Sequence, residues 1–301
     1  MPNARGALLA IAKKEQQISM PSNRLNEIIE HLKAQKVIDN KTVIHLYNWA
    51  EPMTSPYFGN ICESLSDNQT PFIISTNGSM PLKLFESQIG AMKLLQGIVF
   101  SLPGFSQKSY DRVHDFDFEK VIKNIEKIVT TCRGFGFNGY VQISYHVYQF
   151  NLDEIEPAAE WAKKRGYVFS PTYAYFNDFV MAYDFLTGAD LKSKDVTGPF
   201  LDYIEELVKQ RPVDYKCPQS KILAINTKGE LLLCCCASNF APLGKIIDMT
   251  AEQIEQSKTS SWFCTECQKI GLDYWFHNPK QYIIKPKTFI ERLLRKIKAL
   301  R

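Results

Sequence analysis

Six of the eight cysteines in this 301-residue chain fall in its last third, as Cys217, the run Cys234-Cys235-Cys236, and Cys264-x-x-Cys267. The chemistry this spacing suits is metal or iron–sulfur ligation, because a C-x-x-C pair lets two thiolates reach one centre and such centres take four soft ligands. Cys217, Cys234, Cys264 and Cys267 are the candidate set. Between the groups, Ile222 to Ile225 and Glu230 to Leu233 flank Asn226-Thr227-Lys228-Gly229, which reads as a hairpin turn with Gly229 at a positive φ. That hairpin carries Cys217 toward Cys234, and Cys264-Thr265-Glu266-Cys267 reads as a tight chelating turn. Strand alternation turns Cys235 to the opposite face and leaves Cys236 open as an alternative ligand to Cys234. The ordinary alternatives are buried thiols and disulfides. The apolar patch from Ala7 to Ala12, bounded by Arg5 and Lys13-Lys14, is too short for a secretory signal, which points to a cytoplasmic, reducing setting. Cys62 and Cys132 stand isolated and read as core thiols.

The elements that must position such a site follow from the apolar pattern. A hydrophobic content of 45% with 12% aromatic residues describes a globular chain, and its length suits one large α/β unit with a small appendage. A net charge of +4 is too mild to imply nucleic acid, and no apolar run approaches a membrane span. Short strand-like runs at Val43 to Tyr47, Phe72 to Ser75, Ile98 to Ser101, Val141 to Val147 and Tyr167 to Thr172 alternate with helical stripes, the pattern of a parallel sheet or barrel. Leu25, Ile28, Ile29 and Leu32 make one stripe, and Phe118, Val121, Ile122, Ile125, Ile128 and Val129 a longer one. Ser55-Pro56 reads as a helix start, Gly166 as a helix stop, and a further helix is expected from about Pro199 to Lys209. Arg211-Pro212 marks a boundary between a body, residues 1–212, and a cysteine-bearing domain, residues 213–278. Residues 279–301 place Phe289, Leu293, Leu294, Ile297 and Leu300 at helical spacing among basic residues, an amphipathic helix suited to packing on the body or to an acidic membrane surface or partner.

Three polar segments fall at the C-terminal ends of the expected strands, where barrels carry their sites. Asn48-Trp49-Ala50-Glu51-Pro52 follows the first, Ser75-Thr76-Asn77-Gly78 the second, and Ser101-Leu102-Pro103-Gly104 the third. In this order, and followed by Cys217-x11-Gly229-x4-Cys234, they resemble radical S-adenosylmethionine enzymes with a SPASM or twitch auxiliary iron–sulfur domain, over residues 20–275. The resemblance implies an incomplete (β/α)6-type parallel barrel with a small cysteine-rich C-terminal β-hairpin domain. It also implies that Ala50, Glu51 and Pro52 match the Gly-Glu-Pro element holding the amino group of the methionine moiety, with Ala50 in place of Gly. Ser75, Thr76, Asn77 and Ser101 match polar strand-end residues around the bound S-adenosylmethionine, and Pro103 stands where an acidic residue is usual.

Two departures bear on activity. No cysteine precedes Cys62, so the family's Cys-x3-Cys-x2-Cys loop is not within these 301 residues, and the expectation is that the chain begins after it. No cysteine follows Cys267, so one auxiliary 4Fe-4S cluster is expected, held by Cys217, Cys234, Cys264 and Cys267. Intact relatives cleave the cofactor to a 5′-deoxyadenosyl radical that abstracts hydrogen from a substrate, and an electron donor is implied. This chain by itself is expected to bind S-adenosylmethionine less well than an intact relative, for want of the N-terminal cluster, and to be inactive. Substrates of the family that remain open are a peptide and a sugar or lipid of a surface polymer. The rival class is a non-catalytic binding protein with a structural zinc at the same four cysteines. The five histidines show no metal-like spacing; His45 and His146, both within strands, read as satisfied core residues, and His31, His114 and His277 carry no signal.

Overall fold

Five parallel strands in the order β1 (Ile44–Leu46), β2 (Phe72–Thr76), β3 (Leu95–Leu102), β4 (Tyr140–Val147) and β5 (Val168–Tyr173) form the main sheet of the computed structural model. The structure describes residues 19–46, 51–174, 186–187, 208–235, 242–259 and 261–277. Ala50, Cys236, most of the expected helix before Lys209 and the basic segment 279–301 lie outside these residues.

Parallel neighbours need crossover connections, and the described ones are helical. The helices are α1 (Ser22–Ala34), α2 (Phe58–Asp67), α3 (Ile89–Leu94), α4 (Gln107–Val113), α5 (Phe118–Gly134) and α6 (Ile155–Lys164). Their apolar faces bury one side of the sheet. Phe72 and Ile74 of β2, Ile98, Phe100 and Leu102 of β3, and Val141, Ile143 and Tyr145 of β4 join Val121, Ile125 and Ile128 of α5 in one core. Strand alternation therefore turns Ser75, Val99, Ser101, Gln142, Ser144 and His146 to the opposite face.

Local signals fall where the chain chemistry puts them. Asp117 caps α5 by accepting from Lys120 N at 3.0 Å. Gly166, at φ +70°, ends α6, with Tyr167 N donating to Ala162 O at 3.0 Å. The expected helix start at Ser55-Pro56 is displaced. A 3-10 turn, Pro52–Thr54, is capped by Glu51, and α2 begins only at Phe58.

A second, antiparallel sheet joins β6 (Ala224–Ile225), β7 (Glu230–Leu232) and β8 (Gly244–Lys245). The β6–β7 turn is the expected one: Gly229 has φ +78°, and Asn226 Oδ1 accepts from Lys228 N and Glu230 N, each at 3.0 Å. Helices α7 (Ala251–Thr259), α8 (Trp262–Lys269) and α9 (Leu272–His277) follow. The two sheets meet through α1. Its Leu25 and Ile29 enter the main core, while Ile28 and Leu32 pack with Leu231, Ile246 and Ile254 of the smaller unit. Polar contacts reinforce the seam: Arg24 Nη1 donates to Lys228 O at 3.0 Å, and the His31 ring lies 2.8 Å from Met249 O. Among the described residues no helix is long and apolar enough to cross a membrane.

Candidate functional site

Glu51, five residues past the last residue of β1, is extended, with φ −87° and ψ 109°, and its carboxylate reaches the loop that follows β2. Oε2 accepts from Asn77 N at 2.8 Å and Oε1 from Met53 N at 3.1 Å. The first bond needs the chain to turn sharply after β2, and Gly78 supplies the turn. Its φ is +69°, and a Cβ there would lie 2.9 Å from Ile125 Cγ1, so a side chain is excluded. Asn77 Oδ1 accepts from Ser79 N at 2.8 Å, which engages the carbonyl oxygen of that side chain in the loop.

Burial raises the Glu51 carboxyl above its ordinary value, and the hydrogen bonds from Asn77, Thr76 and Met53 only partly oppose it. Among the described residues no cation lies within ion-pair reach of this carboxylate. A carboxylate so placed suits an ammonium group, which would supply the missing charge.

The remaining strand-end residues divide between the two faces of the sheet. Thr76 is buried on the helix-facing side, where Oγ1 accepts from Gly78 N at 3.1 Å. Ser75 and Ser101 are half-buried on the opposite side, with Ser75 in register with Val99 and Ser101 in register with Ser144. The structure thus brings Glu51, Thr76 and Asn77 together at one corner, with Pro52 opening the turn capped by Glu51, and sets Ser75 and Ser101 on the neighbouring open face. His146 is a satisfied strand residue, as expected, and its partner is a candidate site residue: its Nε2 lies 3.2 Å from Ser101 Oγ. Only its position in a strand with alternating burial could have pointed there.

The four candidate cysteines gather in the smaller unit. Cys234 and Cys267 are buried in one apolar cluster with Leu233, Phe263, Leu272, Tyr274 and Trp275, and Cys264 packs against it. The expected chelating turn is instead helical: Cys264 and Cys267 lie in α8, three residues apart and so on one helix face. Burial pushes the Cys217 thiol up to about 11, and the nearby charges of Asp273, Cys234 and Cys264 push the same way. Cys267 is raised by burial and by Asp273, Cys217, Cys234 and Cys264. As thiolates these groups would repel one another, a repulsion that a bound cation would relieve.

The donor chemistry suits a soft metal or cluster. The spacing does not close on a point: among the described residues no three His, Cys, Asp or Glu side chains are placed to hold one metal ion. Two further groups at this cluster were not visible in the sequence. Lys258, 5% exposed, donates to Gln219 O at 2.8 Å and to Ile222 O, anchoring the segment that follows Cys217. Arg211 Nε pairs with the buried Asp273 Oδ1 at 2.8 Å beneath the cysteines.

A parallel α/β sheet with its polar residues at the C-terminal strand ends, joined to a small cysteine-bearing unit, is the class that this geometry defines. No protein-family model and no curated protein sequence matches the chain. Solved structures do share the fold. The structure of anSMEcpe with bound AdoMet is 14% identical with a TM-score of 0.50, over 85% of this chain and 79% of that one. Streptococcus suis SuiB bound to S-adenosylmethionine is 13% identical with a TM-score of 0.51, over 84% of this chain and 64% of SuiB. SuiB bound to the precursor peptide SuiA gives 13% identity and a TM-score of 0.52, over 83% and 63% of the two chains. At such identities the likeness is one of fold, and this chain spans a little under two thirds of SuiB.

Proposed function

We propose that this chain is a radical S-adenosylmethionine-type protein that binds S-adenosylmethionine at the C-terminal ends of β1 to β3. The observation that carries the reading is Glu51, a partly desolvated carboxylate held by the backbone amides of Met53 and Asn77 and without a cation among the described residues. Its role would be to take the ammonium of the methionine moiety. Asn77 and Ser75 would meet the rest of the ligand from β2, and Ser101 from β3, while Thr76 supports the Gly78 turn. S-Adenosylmethionine, once bound and reduced, supplies radical chemistry on a substrate, and the protein's part is to hold and orient it. The AdoMet-bound structures of anSMEcpe and SuiB support this ligand, and the SuiA complex of SuiB supports a peptide as the substrate class.

In the same reading Cys217, Cys234, Cys264 and Cys267 hold one 4Fe-4S cluster, for which side chains of Cys217 and α8 would have to move together. The support is chemical: the thiols of Cys217, Cys264 and Cys267 are raised in pKa by burial and by the other candidate cysteines, Cys234 among them.

Two measurements test the proposal. S-Adenosylmethionine binding to the wild-type chain, followed by NMR titration, should weaken at least tenfold in Glu51→Gln; binding unchanged by that substitution removes Glu51 from the site. Anaerobically prepared protein should contain iron and acid-labile sulfide, both lost in Cys264→Ala. Stoichiometric zinc without sulfide would instead assign the cysteines to a structural metal site.

A further inference from the structure

His146 has no assigned role in the reading above, yet it stands among the groups that would face the ligand. Ser101 on β3 is in register with Ser144 on β4, and His146 lies two residues further along the same face. The Nε2 to Oγ separation of 3.2 Å makes the pair a hydrogen bond across neighbouring strand ends.

The pair is held from behind. Asn151 is fully buried, and its Nδ2 donates both to Pro103 O at 2.8 Å and to His146 O at 2.9 Å. Its Oδ1 accepts from Tyr148 N at 2.8 Å, and its own carbonyl accepts from Tyr145 OH at 3.1 Å. One amide side chain thus ties the residue two past Ser101 to the backbone of His146, and the two strand ends cannot slide apart without breaking it. Burial, assisted by nearby His114, lowers His146 to about 4, so the ring is neutral near pH 7. A neutral imidazole offers one donor and one acceptor and brings no charge to this face. The neighbouring side chains there, Ser75, Val99, Gln142, Ser144, Ser170 and Thr172, carry none either.

We propose that His146 is a positioning residue that fixes the Ser101 hydroxyl in one orientation, so that Ser101 meets a hydroxyl group of the ligand bound over the strand ends. The inference rests on the reading that S-adenosylmethionine binds there, and the ribose diol supplies the hydroxyl class. A serine hydroxyl is a free rotor; bonded to the imidazole of a residue whose backbone carbonyl is held by a buried amide, it loses part of that freedom before the ligand arrives, which is preorganisation.

The test is a binding cycle with S-adenosylmethionine on wild type, Ser101→Ala, His146→Phe and the double variant, with His146→Gln as the conservative control and thermal unfolding run on each. Either single substitution should weaken binding about tenfold, and the double variant no more than either one, because both remove the same oriented hydroxyl. Gln, whose amide can reach the same hydroxyl, should restore most of the loss. The His146 ring nitrogen shifts should move when the ligand is added. Unchanged binding in both His146→Phe and His146→Gln, or losses that add in the double variant, would overturn the inference. If Glu51→Gln abolishes binding while His146→Phe leaves it intact, the ligand reading stands and only the role of His146 fails. No binding by the wild type would defeat both.

Discussion

Replacing Glu51 by Ala should cost stability as well as ligand. The carboxylate answers two backbone donors, Met53 N at 3.1 Å and Asn77 N at 2.8 Å, and the second bond joins loops 26 residues apart. An orphaned buried donor costs about 1–3 kcal/mol. Glu51 is half-buried, so water can replace part of what is lost, and the expected total is about 2–4 kcal/mol. Glu51→Gln keeps one acceptor and should lose about half as much. Urea unfolding reads the change as a shift of midpoint at constant slope. The pH dependence adds a signed check. Burial raises the folded carboxyl above its unfolded value, so the folded state holds the proton more tightly. This contribution is fully present below the unfolded pKa and is lost as pH rises through the raised folded pKa. The wild type should therefore lose stability across that interval, while Glu51→Gln, with no proton to release, should not. S-Adenosylmethionine should bind more tightly as pH rises through the same interval, because only the ionised carboxylate pairs with an ammonium. An Ala variant that unfolds at the wild-type urea concentration would refute the claim that this carboxylate organises the corner.

Four further outcomes are expected. Asn151→Leu, which forfeits the bonds to Pro103, His146 and Tyr148, should lower unfolding stability by about 2–4 kcal/mol, and a loss under 1 kcal/mol would show that the strand ends do not depend on it. Gly229→Ala places a side chain at φ +78°, and denaturation should report a cost of about 1–2 kcal/mol. Cys62 and Cys132, fully buried with thiols pushed up to about 12, should resist alkylation at pH 8 in the native state and react in denaturant; rapid native labelling would contradict their burial. The 301-residue polypeptide, reconstituted with iron and sulfide and reduced with dithionite, should form no 5′-deoxyadenosine above a protein-free control, since it lacks the three-cysteine loop that cleavage requires in the family it resembles.

Much of the local structure was legible because its causes are local. The β6–β7 hairpin follows from Asn226 and Gly229, whose side chain and missing side chain satisfy a tight turn within five residues. The strands β2 to β5 announce themselves as short β-branched or apolar runs, and the stripe of Val121, Ile125 and Ile128 defines the buried face of α5. Tertiary structure decided what those signals cannot carry. One-residue steps along β2 send Ser75 to the open face and Thr76 to the helix side, and only the sheet's burial says which is which. A stripe on α1 looks single in sequence, yet Leu25 and Ile29 serve one core while Ile28 and Leu32 serve another, because a second unit packs on its flank. The C-x-x-C spacing is compatible with a turn and with a helix, since residues three apart converge in both, and the surrounding contacts of Phe263 and Leu272 select the helix. No sequence signal marks Lys258, yet folding buries it against carbonyls 36 and 39 residues away. Partners that distant in sequence leave no periodic trace, so the bonds of Glu51 to Asn77 and of Ser101 to His146 exist only once strand order and register bring their ends together.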